Sequence, residues 1–134
     1  MLADDVLGAT REDARLPLAD AYLDAFAAIE ADRNQFLAVA EIDGRVVGAL
    51  QISFLPGLSH KGAWRGQIES VRVAGDQRGS GVGQALIRWA VEQCAARGCA
   101  LVQLTTSNSR TDARRFYERL GFEATHTGMK RDLR

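Results

Sequence analysis

The chain has no block of basic residues, since 17 Lys and Arg face 17 Asp and Glu and the formal net charge is zero. Without a basic stripe, the electrostatic footprint of a nucleic-acid binder is missing. Long apolar runs are missing too, so no stretch suits a bilayer crossing. The opening MLADDVLGATRED is acidic where a secretory leader would be basic and then apolar. A cytoplasmic protein that binds neither membrane nor nucleic acid is the expectation. Cysteine is scarce: Cys94 and Cys99 flank an expected helix end, fit neither CxxC nor zinc spacing, and read as reduced packing thiols. His60 and His126 are too isolated in the chain to claim a metal, so none is expected. Repeats, low-complexity tracts and linkers are absent as well, and 134 residues suit a single domain, 1–134, with one core.

What is present is a mixture of helical and strand periodicities. Ala21, Tyr22, Phe26 and Ile29 predict a helix over 18–31, and 36–42 reads as a strand. Asp43-Gly44 is a strong hairpin turn into a second strand, 45–55, which Pro56-Gly57 breaks. A polar loop over 58–66 leads to a third strand, 67–74. Then come a helix over 81–97 stopped by Gly98, a strand over 100–106, a second amphipathic helix, and a last extended segment, 123–133. In the helix over 81–97, Val82, Leu86, Trp89 and Ala90 form the apolar stripe, with Gln84, Arg88 and Glu92 on the wet side.

The most informative stretch is IESVRV followed by AGDQRGSGVG and a helix. Gly79, Gly81 and Gly83 lack Cβ, so the backbone can turn sharply and aim several N–H groups at one anion. The helix start adds unpaired donors and the positive dipole end. Arg78 adds a charge. A Walker loop would need Gly-Lys-Ser/Thr where this chain reads Gly81-Val82-Gly83-Gln84. A Rossmann fingerprint would need an acidic residue ending the next strand, where this chain has Thr105, Thr106 and Ser107. A glycine-rich turn without a ligand is the plain alternative. Further on, Asn108 precedes SRTDARRFYERLGF, in which Ala113, Phe116, Tyr117 and Leu120 line one helical face before Gly121 stops it.

Arg78-x-x-Gly81-x-Gly83 resembles the acetyl-CoA loop of the GNAT N-acetyltransferase superfamily, and Asn108 with RFYERLGF resembles its second signature. The longer phrase DARRFYERLGFEATH is similar to aminoalkylphosphonate N-acetyltransferases. The resemblance implies an α/β fold: a mixed, mostly antiparallel twisted sheet, helices on both faces, and a central V-shaped splay between two parallel strands. It also implies a first edge strand, which is expected to be missing here because MLADDVLGATRED reads as the middle of the first helix. An uncovered strand near Phe36 would invite pairing with a second chain, so a homodimer or a covered edge is expected.

The resemblance further implies acetyl-CoA as co-substrate and a small primary amine as acceptor, attacking the thioester directly. Arg78, Gly79, Ser80, Gly81, Val82, Gly83 and Gln84 would hold the pyrophosphate. Backbone groups of Val71 and Val73 would bind the acetyl carbonyl and the pantetheine, and Asn108 the pantetheine arm or a water. Tyr117 would be the general acid toward the leaving thiolate, against the plain reading of a packed core tyrosine. Glu69 would relay the amine proton, against the plain reading of a cross-strand partner for Arg72 or Arg45. Arg110, Arg114 and Arg115 would touch the 3′-phosphate or be wet helix charges. Asp4, Asp5, Glu12 and Asp13 would suit a cationic acceptor, whereas His60, Lys61 and Arg65 would suit an anionic one. A coenzyme-binding sensor without turnover is the alternative from another class.

Overall fold

In the computed structural model, residues 1–4 and 8–133 are described. A single 3-10 turn, Gly8–Thr10, precedes helix α1 (Asp20–Ala31) and strands β1 (Gln35–Ile42) and β2 (Arg45–Leu55). Strand β3 (Trp64–Val73), helix α2 (Val82–Ala96), strand β4 (Cys99–Leu104) and helix α3 (Thr111–Arg119) follow. The sheet runs β1-β2-β3-β4, antiparallel across the first two pairings and parallel between β3 and β4. The parallel step is possible because α2 forms the crossover between β3 and β4. This is the mixed α/β architecture the sequence predicts.

The β1–β2 hairpin closes as Asp43-Gly44 requires, with φ of 50° and 77° at the two turn residues. Alternation then assigns the two sheet faces. Leu50, Ile52 and Phe54 of β2, Ile68 of β3 and Ala38 of β1 pack with Leu86, Ile87, Ala90 and Cys94 of α2 into one core. Its closeness depends on Gly66, where a Cβ would stand 2.2 Å from the Cys94 sulfur. Burial pushes the Cys94 thiol up to about 11, as befits a packed, unreactive group, and both cysteines are free. The apolar stripe of α2 is therefore wider than Val82, Leu86, Trp89 and Ala90, because Ile87 and Cys94 are buried as well. Arg88 and Glu92 are exposed as expected, and Gln84 is half-buried.

Three segment boundaries differ from the expectation. Strand β3 begins at Trp64, inside the expected loop, because Trp64 and Arg65 already find partners on β4 at Cys99 and Leu101. Only a tight turn, Ser59–Gly62, remains of that loop, with His60 and Lys61 at φ 52° and 62°. Strand β4 ends at Leu104 rather than Thr106, where its pairing with β3 ends. The terminal segment is not a strand: 123–133 is exposed throughout and makes no ladder, since it offers no alternating apolar face to bury. Instead Thr125 folds back on Glu123, and its side chain bonds His126 at 2.7 Å.

Strand β1 lies at the sheet edge, and among the described residues no strand precedes it. Phe36, Leu37 and Val39 are exposed there, although Phe36 still packs on Trp89 of α2 at 5.4 Å between ring centres. Helix α1 buries no residue, and Leu23 and Phe26 remain half exposed.

Candidate active site

The two halves of β3 have different surroundings. From Arg65 to Ile68 the strand is paired on both sides; beyond Ile68↔Leu104 the β4 pairing stops, and Glu69–Val73 keeps only β2. This is the splay. At its start a bulge intervenes: Gln51 opposes Glu69, but Ala49 opposes Arg72, and Ser70 takes φ 53°. The bulge breaks the simple alternation that would put Glu69, Val71 and Val73 on one face. Arg72 now follows Glu69 on the face away from α2, while Val71 packs against the core and the Val73 side chain lies beside Gly83 of α2.

Hydrogen bonding fixes the direction of the backbone. Ala74 N–H donates to Val47 O on β2 at 2.8 Å. Alternation along the extended chain therefore turns the N–H and C=O groups of Val71 and Val73 toward the open side. Two amide donors at the splay, two residues apart, suit an extended amide-bearing arm and a polarised carbonyl.

The glycine loop follows immediately. A 3-10 turn, Gly75–Gln77, leads to Gly79 and Gly81, both left-handed at φ 79° and 93°, the conformation glycine tolerates best. Beyond either alpha carbon there is open space, with no atom within 4 Å of a built Cβ. Gly81 is the N-cap of α2 and supplies no side chain, so the first-turn N–H groups of Val82, Gly83 and Gln84 are left for an outside acceptor. Ser80 is committed locally, its hydroxyl donating to Gln77 O at 2.6 Å. Arg78 is exposed at the rim. The loop is anchored to the sheet by Asp76, which accepts a fork of two hydrogen bonds from Arg45 at 2.7 and 2.9 Å. That pairing holds the Asp76 carboxyl below its ordinary range.

Helix α3 presents Ala113, Phe116, Tyr117 and Leu120 inward, as their spacing requires, and its other residues are exposed. Its end is a Schellman motif. Gly121 at φ 89° lets its own N–H reach Glu118 O and lets the Phe122 N–H reach Tyr117 O, both at 3.1 Å. Phe122 then packs edge-on against Tyr117 at 6.0 Å, and Phe116 does so from the other side at 5.1 Å. The tyrosine ring is thus fixed at its backbone and on two faces, yet its hydroxyl has no hydrogen-bond partner among the described residues. Burial raises its pKa above the ordinary phenol value, and the nearby charges of Arg110 and Arg72 draw it part of the way back. At neutral pH it is a protonated donor.

Other expected residues fall into place less centrally. Asn108 sits exposed in the turn Ser107–Arg110 rather than at the helix cap, a position held by Arg110. Arg114 pairs with Glu118 at 2.8 Å, a local helix contact. Glu69 is exposed at the splay and makes no ion pair: Arg45 is bound to Asp76, and Arg72 donates to Val71 O at 2.9 Å. Glu12 accepts from the Tyr22 hydroxyl at 2.8 Å and Asp13 pairs with Arg15, so that acidic group is locally engaged, while Asp5 lies outside the described residues. Among the described residues no group of His, Cys, Asp and Glu is arranged to hold a metal.

Sequence reasoning missed a polar row across the sheet face opposite α2. Gln35, Ser53, Gln67 and Gln103 are register partners on the four successive strands. Gln35 Oε1 accepts from Ser53 Oγ at 2.8 Å and from Gln51 Nε2 at 2.9 Å, and Gln103 Nε2 donates to Gln67 Oε1 at 2.7 Å. The polar-apolar alternation in GQIES carried part of that signal; the register that aligns four strands did not.

The open half of β3 leads directly into a glycine loop at a helix start, and the bare phenol of Tyr117 is next in the chain to Phe116, which lies beside Gly83 of α2. The chain matches the Acetyltransferase (GNAT) family over residues 3–122 and belongs to it. It is 36% identical over 106 residues to the aminoalkylphosphonate N-acetyltransferase of Salmonella typhimurium, covering 79% of this chain and 68% of that relative. To the glucosamine 6-phosphate N-acetyltransferase of Trypanosoma brucei brucei it is 38% identical over 90 residues, 67% of this chain and 59% of that one. The chain thus spans 68% and 59% of the length of these two curated relatives. Among solved structures it is similar to a protein of Bacillus halodurans C-125 described as a transcriptional regulator. The TM-score is 0.97 with 49% identity, over 99% of this chain and 89% of that one.

Proposed function

We propose that the protein transfers the acetyl group of acetyl-CoA to the primary amine of a small acceptor that also carries a phosphonate or phosphate. The observation that carries this reading is the open half of β3, whose Val71 and Val73 amides face the splay directly ahead of the glycine loop. The acceptor class is supported by similarity to relatives whose names specify aminoalkylphosphonate and glucosamine 6-phosphate.

In this reading, Gly79, Ser80, Gly81, Val82, Gly83 and Gln84 cradle the pyrophosphate through backbone N–H groups, with Arg78 as a flanking charge and Asn108 beside the pantetheine arm. The N–H groups at Val71 and Val73 orient the thioester and polarise its carbonyl. Attack of the neutral amine nitrogen forms the C–N bond and breaks the C–S bond. Tyr117 gives its proton to the departing thiolate and recovers one from solvent. Glu69 receives the amine proton through water. No side-chain nucleophile takes part, and the Cys94 thiol is buried and held protonated. We place the enzyme in the cytoplasm. Its β1 edges, which expose Phe36, Leu37 and Val39, pair in a homodimer.

The test is thiol release from acetyl-CoA with a panel of amines, aminophosphonates, amino sugar phosphates and amino acids, with acetylated product identified by mass. The expected result is acceptor-dependent release, strongest for amines bearing a phosphorus oxyanion. Tight coenzyme binding with no release across the panel would instead identify a sensor. Sedimentation at micromolar concentration tests the dimer, and a clean monomer would remove it.

A further inference from the structure

Arg72 is the residue that neither the ladder nor the core accounts for. Among the described residues its Nε is the one buried side-chain nitrogen or oxygen without a hydrogen-bond partner. An orphaned buried donor on a charged group is costly and calls for a partner that arrives from outside. The bulge at Ser70 sets Arg72 on the same sheet face as Glu69 and opposite Ala49. Its Nη1 donates to Val71 O, which faces the open side, so the guanidinium lies at the splay itself. Among the described residues no carboxylate pairs with it: Asp76 is bound by Arg45, and Glu69 makes no ion pair.

The geometry points to Arg72 as the residue that selects the acceptor, its guanidinium fork binding an oxyanion carried a few bonds from the attacking amine. This rests on the acetyltransfer reading above and assigns its acceptor-recognition residue. A guanidinium matches a phosphonate with two parallel hydrogen bonds, and binding would satisfy the buried Nε. Glu69, on the same face just before the bulge, would repel the same oxyanion and attract the ammonium form of the amine. The two residues therefore orient an aminophosphonate with its nitrogen toward Glu69. Arg65 also lies on this face but sits at the far, fully paired end of β3, seven residues earlier in the chain and roughly 20 Å along it. His60 and Lys61 are exposed in the turn before β3.

The experiment compares wild type with Arg72→Met and Arg72→Lys, using aminomethylphosphonate and the uncharged-tail ethanolamine as paired probes. Calorimetry on the coenzyme A-bound protein measures binding, and acetyl transfer measures turnover. For aminomethylphosphonate, Arg72→Met should weaken binding and kcat/KM by about 10- to 100-fold, the range for losing charge-assisted hydrogen bonds. Ethanolamine should change by less than about 3-fold. Arg72→Lys should recover part of the loss by restoring charge without the fork. Coenzyme A affinity, unchanged in all three proteins, would show that the site is intact. Equal losses for both probes, or aminomethylphosphonate binding unaffected by Arg72→Met, would overturn the assignment, as would a wild type that binds neither probe. Arg72-dependent phosphonate binding without turnover would leave Arg72 in its role and refute the acetyltransfer reading.

Discussion

The first half of β3 and the second half are one strand with two occupations. In Arg65–Ile68 both edges are paired, Gly66 and Ile68 are buried under α2, and Cys94 closes over Gly66. In Glu69–Val73 one edge is open, nothing is fully buried, and the backbone bulges. The comparison teaches that a strand can be rigid at one end so that its unpaired groups at the other are held still for a ligand. Unpaired amides in a mobile loop would pay the ordering cost on binding; here α2 and β2 have already fixed them.

The largest way to break the comparison acts on the open end. Tyr117→Phe keeps the ring between Phe116 and Phe122 and removes only the hydroxyl, so kcat should fall by roughly 10- to 1000-fold with coenzyme affinity unchanged. Rates are to be measured where chemistry limits turnover. Because the folded pKa of Tyr117 is raised by burial, any basic limb that this group gives wild-type activity should lie above the ordinary phenol range. The same shift favours the folded state below the ordinary phenol pKa, and that contribution is lost as pH rises through the higher folded value.

The closed end should respond in stability and not in chemistry. Gly66→Ala drives a methyl into the Cys94 sulfur and should cost about 1–3 kcal/mol in denaturant unfolding. Removing that sulfur in the double variant Gly66→Ala/Cys94→Ala should return part of it. If the double variant were as damaged as the sum of the two single ones, α2 would not be held by that contact.

A smaller effect separates ligand space from backbone strain. Gly81 and Gly98 have similar left-handed φ, 93° and 80°, and both face open space, so Val at either pays a similar conformational cost of about 1–2 kcal/mol. Only Gly81 belongs to the proposed phosphate cradle. Gly81→Val should weaken acetyl-CoA binding at least tenfold beyond any effect of Gly98→Val, the order expected for displacing charge-assisted contacts. Equal affinities would move the pyrophosphate elsewhere.

The sequence made local features legible wherever side-chain chemistry dictates backbone. Asp43-Gly44, Gly98 and Gly121 marked their turns, and the Ala113, Phe116, Tyr117 and Leu120 spacing identified the inward face of α3. The glycine loop and Tyr117 were legible through motif spacing. Features that depend on register were not: a bulge at Ser70 is invisible in IESVRV, yet it moves Arg72 onto the face of Glu69 and Val71 off it. The polar row from Gln35 to Gln103 needs four strands aligned before it exists. The extended segment 123–133 forms no strand, because local extension does not make one without a face to bury.

If the open half of β3 and the glycine loop together hold the coenzyme, amide-resolved hydrogen exchange with and without acetyl-CoA will show it. Exchange should slow at Val71, Val73, Gly81, Val82 and Gly83, with Arg65–Ile68 unchanged because both of its edges are already paired. Protection confined to other segments, or none at Val71 and Val73 under saturating coenzyme, would contradict it.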